Sequence, residues 1–162
     1  IPGRKRAEGT SERRKWHLTT IRNMKPEDVP QVAELESQTF SQPWSEKGFL
    51  DSLQLPNTIF LAACDGQEVV GYAGMYLSVD EGGIVNVAVA QKMRRKGIGD
   101  ALLDKMAECA AQKGIQQIVL EVRVSNEPAI RLYEKHGYVR CGVRKGFYEL
   151  PKEDAYIMIY GQ

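Results

Sequence analysis

The 162-residue sequence lacks any apolar run close to the roughly 20 residues that a membrane-spanning helix needs. Its start also lacks the apolar stretch of a secretory signal, so we expect a cytoplasmic protein with no membrane partner. Hydrophobic residues make up 43% and charged residues 27% of the chain, a balance that argues against intrinsic disorder. The length suits one domain with a single core.

Cysteine and histidine are scarce. There are three cysteines (Cys64, Cys109 and Cys141) and two histidines. An odd number of widely spaced cysteines does not make a disulfide framework, and so few histidines do not make a zinc-ligand cluster. Because each cysteine has apolar neighbours, we interpret all three as small core residues and expect no metal site.

Net charge of either sign is almost absent, at +1 overall, but it is unevenly spread. Residues 1–17 hold six Lys or Arg against two Glu, whereas the rest of the chain carries 16 basic and 19 acidic residues. A basic arm can contact nucleic acid or the ribosome, although such a stretch is more often a disordered tail. We therefore predict a flexible basic tail over 1–17, a folded domain over 18–162, and no direct binding of nucleic acid.

Apolar residues recur with regular periods along the rest of the chain. A strand is predicted at 18–24, and a helix follows with Val29, Val32, Leu35 and Glu36 at helical spacing. A second helix has Ser45 as its N-cap, and three strand-like runs then predict an antiparallel meander. Later segments alternate helix with strand. We expect one α+β domain, with a mixed sheet of about seven strands flanked by about four helices.

One loop in this pattern has the composition of an anion site. An apolar run ending near Val89 leads into Arg94-Arg95-Lys96-Gly97-Ile98-Gly99, after which a helical pattern begins. Backbone N–H groups at a helix start are unpaired and attract phosphate, and glycines allow close approach. The spacing matches neither a nucleotide-hydrolysing P-loop nor a dinucleotide fingerprint. An ordinary strand-to-helix turn with solvated cations explains the loop equally well.

Glu121 is an unexpected charge in a strand predicted over 117–124. Alternation there places aliphatic residues on one face and Glu121 on the other. Because a strand followed by a crossover helix is covered on both faces, a carboxylate in it is costly unless it is paired or functional. Glu121 is therefore either an ion-pair partner of Arg123 or another cation, or a general base that acts through water.

These segments together resemble a known family. Arg-x-x-Gly-x-Gly after an apolar strand is similar to the acetyl-CoA motif of the GNAT superfamily of N-acetyltransferases. The most specific likeness lies in 120–134, which reads Leu-Glu-Val-Arg-Val-Ser-Asn, then Ala-Ile and Leu-Tyr-Glu. This block resembles the bacterial RimI type, the ribosomal-protein-alanine N-acetyltransferases, and the likeness extends over nearly everything from residue 19 onward.

The resemblance implies an enzyme that transfers acetyl from acetyl-CoA to the N-terminal α-amino group of a protein. The implied substrate is the N-terminal alanine of the eighteenth protein of the small ribosomal subunit. Glu121 would be the general base and Tyr133 the general acid, in a direct attack within a ternary complex. The residues implied to bind acetyl-CoA are Val87, Ala88, Val89, Arg94, Arg95, Lys96, Gly97, Ile98, Gly99, Asp100 and Asn126.

Several of these residues also have ordinary structural explanations. Tyr133 lies in an apolar group where it can simply pack, and Asn126 stands where a helix N-cap is expected. Trp44 and Tyr148 either line the opening for a peptide N-terminus or cover the edge of the core. Two other functions stay open: acetylation of other protein N-termini or a small-molecule amine, and acyl-CoA binding without catalysis.

Overall fold

The computed structural model describes residues 19–161, so the predicted basic tail over 1–17 lies outside the described residues. The strands are β1 (Thr19–Asn23), β2 (Thr58–Asp65), β3 (Glu68–Ser78), β4 (Glu81–Val89), β5 (Gln117–Arg123), β6 (Val139–Glu149) and β7 (Lys152–Gly161). The helices are α1 (Val29–Thr39), α2 (Glu46–Leu53), α3 (Ile98–Gln112) and α4 (Glu127–Lys135), and short 3-10 turns precede α1 and α3.

The seven strands form one mixed sheet in the order β1-β2-β3-β4-β5-β7-β6. The first four strands are the predicted antiparallel meander. β5 then pairs parallel with β4 after the α3 crossover, and β7 inserts antiparallel between β5 and β6. The predicted α+β class, the number of strands and the number of helices are all confirmed. Ser45 is the N-cap of α2, since its Oγ accepts the N–H of Gly48 at 3.1 Å.

The sheet separates two hydrophobic clusters. On one face, α3 and α4 pack their apolar residues, including Leu102, Met106 and Ile130, against the central strands. On the other face, α1 and α2 do the same with Val32 and Phe49, among others. We call these the α3–α4 face and the α1–α2 face. None of the helices within 19–161 combines the length and apolar character needed to cross a bilayer.

β4 and β5 pair over only three residues, from Glu81 opposite Gln117 to Gly83 opposite Val119. Beyond these residues the two parallel strands are no longer paired with each other. The edge of β4 from Ile84 onward therefore keeps its backbone N–H and C=O groups available to another partner. We call the space between the two unpaired strand ends the strand gap.

The final hairpin is longer than predicted. The sequence pattern predicts two last strands at 138–143 and 155–160, but β6 continues to Glu149 and β7 starts at Lys152. β6 is an edge strand with many exposed side chains, so charged residues occupy it at little cost and hide the apolar alternation. For the same reason the interpretation of Cys141 as a core residue is wrong, because this β6 residue is exposed.

A methyl group at Gly74 tests how tightly the α1–α2 face is packed. A Cβ there would overlap the ring of Phe60, which is itself buried, so Gly74→Ala is expected to lower the free energy of unfolding by about 1–3 kcal/mol. Gly83→Ala is the matched control in β4, because no atom lies within 4 Å of its Cβ position. Urea unfolding of both variants measures the difference. Equal stability of the two variants would contradict the packing described.

Candidate active site

The predicted anion loop has the backbone geometry of a phosphate cradle. Gly97 is the N-cap of α3 with φ +78°, a left-handed conformation that favours glycine, and no atom lies within 4 Å of its Cβ position. The first helical bond runs from the Ala101 N–H to the Gly97 carbonyl at 3.0 Å. The N–H groups of residues 98–100 precede this bond and have no partner within the helix, and such groups stabilise an anion.

The helix start that follows the loop packs against α4. A Cβ at Gly99 would lie 3.0 Å from Leu132 Cδ2, so glycine lets α3 approach α4 closely. The Asp100 carboxylate accepts a hydrogen bond from His136 Nε2 at 2.8 Å and pairs with Lys135 Nζ at 3.0 Å. The hydrogen bond to His136 is the main reason that the pKa of Asp100 is lowered. The Asp100 side chain thus ties α3 to α4, and a cofactor contact by this residue stays a prediction.

The cations of the loop and the end of β4 complete this side of the site. Arg94, Arg95 and Lys96 are all exposed, and Arg94 Nε donates to the Val89 carbonyl at 3.3 Å. Residues 87–89 lie beyond the last β4 residue that pairs with β5, so their backbone borders the strand gap. The geometry therefore brings the anion loop and the strand gap together at the end of one strand.

Glu121 lies on β5 beside the strand gap. Its neighbours in the strand, Leu120 and Val122, pack on the α3–α4 face, so Glu121 faces the opposite, α1–α2 side. Its Oε1 is 3.3 Å from Arg144 Nε, with side-chain exposures of 26% and 54%. The ion pair considered from the sequence thus exists, but with Arg144 rather than Arg123. Since such exposed pairs contribute about 0–1 kcal/mol, pairing alone does not account for a carboxylate here.

Arg123 instead holds the turn between β6 and β7. Its guanidinium donates to the carbonyls of Leu150 and Pro151 at 3.0 and 2.9 Å and to Glu153 at 3.1 Å. It also lies 4.2 Å above the ring of Tyr148. A residue predicted as a possible partner of Glu121 therefore positions the hairpin that carries Tyr148.

Tyr133 lies on α4 and is buried in the cluster of the α3–α4 face, with its ring 5.7 Å from that of Tyr138. Burial, and to a smaller extent Tyr148, raises the pKa of Tyr133, so its hydroxyl is protonated at neutral pH. Burial also raises the pKa of Tyr148 to about 12, Arg123 partly opposes this, and Glu121 adds to it. Tyr148 is thus within electrostatic range of both Glu121 and Tyr133.

Asn126 and Trp44 have the structural roles that were considered for them. Asn126 is the N-cap of α4, and its Oδ1 accepts the Ala129 N–H at 3.3 Å. Trp44 packs its ring 5.3 Å from Phe49 and 6.3 Å from Tyr76, over the α1–α2 face. The binding roles expected of Asn126 and Trp44 stay predictions.

Sequence reasoning missed the fully buried carboxylate of Glu36. Glu36 on α1 is fully buried, and its Oε1 accepts a hydrogen bond from Asn86 Nδ2 on β4 at 2.8 Å. Burial raises the pKa of Glu36 to about 7, an effect that the backbone N–H of Trp44 partly opposes. Its Oε2 has no hydrogen-bond partner among the described residues. The available signal was the position of Glu36 within the apolar stripe of the first helix.

Residues 29–138 match the family described as the Acetyltransferase (GNAT) family. The chain belongs to this GNAT family. A Bacillus subtilis protein provisionally named as a [ribosomal protein bS18]-alanine N-acetyltransferase is 35% identical over 139 residues, which span 85% of this chain and 92% of that protein. The Escherichia coli protein with the same name, without the qualifier, is 32% identical over 143 residues, or 87% and 96% of the two chains.

A solved structure agrees with these relatives. The Escherichia coli ribosomal-protein-S18-alanine N-acetyltransferase superposes with a TM-score of 0.81 at 30% identity, over 88% of this GNAT chain and 93% of the other. The GNAT protein described here is therefore an acetyl-CoA-dependent N-acetyltransferase, as the resemblance implied. Among residues 19–161, no group of three His, Cys, Asp or Glu side chains is placed to hold a metal ion.

Replacing Glu36 with Gln is expected to stabilise the acetyltransferase above neutral pH. The folded-state pKa of about 7 exceeds the unfolded value of 4.5, so the folded protein binds more protons between these values and its stability falls as the pH rises through them. Gln carries no charge. The variant's free energy of unfolding, relative to that of the native protein, should therefore increase by up to roughly 3 kcal/mol as the pH rises from 4.5 to about 7.

Urea unfolding at several pH values measures this difference. Glu34→Gln is the control on the exposed side of the same helix, and it is expected to change stability by less than about 0.5 kcal/mol. If the difference in free energy of unfolding between Glu36→Gln and the native protein stays constant with pH, then ionisation of Glu36 does not destabilise the folded protein.

Proposed function

We propose that this acetyltransferase acetylates the α-amino group of a protein N-terminus by direct attack, with Glu121 as general base and Tyr133 as general acid. The observation that carries the proposal is the strand gap. Glu121 borders it on the α1–α2 face, whereas Tyr133 lies in the α3–α4 face. A base and an acid on opposite sides of one gap suit a reaction in which amine and thioester approach from opposite faces.

The α3–α4 face fits the cofactor. The helix start after Gly97 and the exposed cations Arg94, Arg95 and Lys96 suit the phosphates of acetyl-CoA, which supplies a reactive thioester when bound. The backbone edge of residues 87–89, which does not pair with β5, suits the amides of the pantetheine arm, and one of its N–H groups suits the developing oxyanion. Asn126 at the start of α4 would contact the same arm.

Glu121 and Tyr133 divide the proton transfers between them. Glu121 accepts the proton that the amine loses as it forms the new amide, directly or through water. The Tyr133 hydroxyl donates its proton to the sulfur as the carbon–sulfur bond breaks. Because burial raises the pKa of Tyr133, its hydroxyl is protonated at neutral pH and carries a proton when the carbon–sulfur bond breaks.

The protein substrate proposed is the N-terminal alanine of the eighteenth protein of the small ribosomal subunit, the activity named for the Bacillus and Escherichia relatives. Modification of a ribosomal protein places the enzyme in the cytoplasm. A broader preference is the second candidate, because a relative from Saccharolobus solfataricus that is named only as an N-alpha-acetyltransferase is 33% identical over 161 residues. Trp44 and Tyr148 would line the opening for the peptide.

A panel of substrates tests this function. The enzyme and acetyl-CoA are incubated with peptides that start with Ala in the S18 sequence, with peptides that start with other residues, and with free small-molecule amines. We expect mass spectrometry to find one acetyl group on the N-terminus of the Ala peptide at the highest kcat/KM. Turnover of small amines with none of any peptide would overturn the proposal.

Conservative variants test the two catalytic roles. Glu121→Gln and Tyr133→Phe each remove one proton-transfer group and keep the side-chain volume, so each is expected to lower kcat about 10²–10⁴-fold. The KM for acetyl-CoA should change little, because neither variant alters the anion loop. Steady-state kinetics with the Ala peptide gives both constants.

Two neighbouring residues are the matched controls. Arg144→Gln breaks the ion pair of Glu121, and Tyr138→Phe removes the hydroxyl next to Tyr133. Both are expected to keep kcat within about threefold of the native value, which corresponds to under 1 kcal/mol. If either control lost as much activity as its catalytic neighbour, the role assigned to that neighbour would be wrong.

A further inference from the structure

Asn86 has an unusual position on β4. A bulge in the β3–β4 pairing leaves Val85 without a partner of its own, with Ile84 opposite Met75 and Asn86 opposite Gly74. Simple alternation from Ile84, which packs on the α3–α4 face, would send Asn86 to that same face. The bulge turns Asn86 instead to the α1–α2 face, where it meets Glu36. β-Bulges are common beside functional sites, where they change the direction in which a side chain points.

Asn86 also brings a polar side chain to the part of β4 that faces the α1–α2 side of the strand gap. Beyond Gly83, the other β4 residues that pack on the α1–α2 face are Val85 and Ala88. Asn86 is three residues past the last pairing with β5, on the same face as Glu121 across the strand gap. It is only partly buried, so a molecule that enters the gap from this face can reach it.

Glu36 fixes which end of the Asn86 amide faces the gap. The ionised Glu36 carboxylate can only accept hydrogen bonds, so Asn86 presents its Nδ2 to Oε1 of Glu36. The Oδ1 of Asn86 makes no hydrogen bond within residues 19–161 and is left as an acceptor. Because Glu36 is fully buried on α1, it cannot swing away to release the amide.

A peptide substrate brings a donor to this acceptor. When the α-amine lies in the strand gap near Glu121, the chain that follows it extends along the α1–α2 face. Its first peptide N–H loses its water there and needs a new acceptor. The side chain of a lysine has only methylene groups at the corresponding distance from its amine. An acceptor at this point therefore distinguishes a chain end from a lysine side chain.

We infer that Asn86, held by Glu36, accepts a hydrogen bond through Oδ1 from the first peptide N–H of the substrate and so selects α-amines. Asn86 is a substrate-binding residue, and Glu36 is a positioning residue that acts through it. The inference rests on the proposed function, since it requires a peptide whose N-terminus enters the gap from the α1–α2 face.

A change in the substrate tests the contact without altering the protein. In a depsipeptide, an ester replaces the first peptide bond, so the N–H is lost while the amine and side chains remain. For the native enzyme we expect the ester to raise the KM about tenfold relative to the matched peptide. Asn86→Ala should raise the KM for the normal peptide by a similar factor and should no longer distinguish the peptide from the ester.

A second cycle tests the role of Glu36. Glu36→Gln leaves the Asn86 amide free to turn over, because Gln can donate as well as accept. It should weaken binding of the normal peptide to the enzyme–CoA complex, measured by calorimetry, but add nothing to the loss caused by Asn86→Ala. Glu34→Gln is the matched control and should bind the peptide as the native enzyme does. The affinity for CoA should be the same in all variants.

The outcomes separate this inference from the proposed function. If the native enzyme acetylates no peptide N-terminus, the proposed function is wrong. If it acetylates the peptide and the ester with equal KM, or if Asn86→Ala still distinguishes them, Asn86 does not accept this N–H. If the losses from Glu36→Gln and Asn86→Ala add independently, Glu36 does not act through Asn86. A thermal melt of each variant confirms that it is folded.

Discussion

The separation of β4 from β5 is the constraint on which the rest of the site depends. Parallel strands normally pair along their length, and here pairing stops after Gly83 and Val119. The backbone groups that β4 would have used stay unpaired with β5 along a gap between two covered faces. The helix start after Gly97 lies at the far end of the same strand. Under the proposed function, one extended ligand would use both the unpaired edge of β4 and this helix start.

Two carboxylates lie on the α1–α2 side of the gap. Glu121 and Glu36 come from different elements: Glu36 lies within the apolar stripe of α1, whereas Glu121 lies in a strand that was expected to be covered on both faces. Their surroundings differ, since Glu121 is partly exposed beside Arg144, whereas Glu36 is fully buried against Asn86. Two carboxylates on one face can therefore have different duties, one in proton transfer and one in holding a neighbouring amide.

The sequence predicted most of the fold because local signals agreed with one another. Ser45, the anion loop and the alternation around Glu121 all report short-range structure, and each is found in place. The opening between β4 and β5, the bulge at Val85 and the pairing of Arg144 with Glu121 depend on contacts between distant segments. No local pattern carries such information. β6 is longer than its sequence pattern predicts, because charged residues are tolerated in an edge strand and interrupt the apolar alternation.

The bonds of Asp100 to His136 and Lys135 have a consequence for the order of events. They join the first turn of α3 to the end of α4, where Gly99 also approaches Leu132, so the helix after the anion loop and the helix that carries Tyr133 form one packed unit. That unit is complete before any amine arrives, and a ligand that docks on it loses little freedom in ordering the protein. Under the proposed function, the acyl group of a cofactor docked on this unit would form part of the surface that receives the peptide.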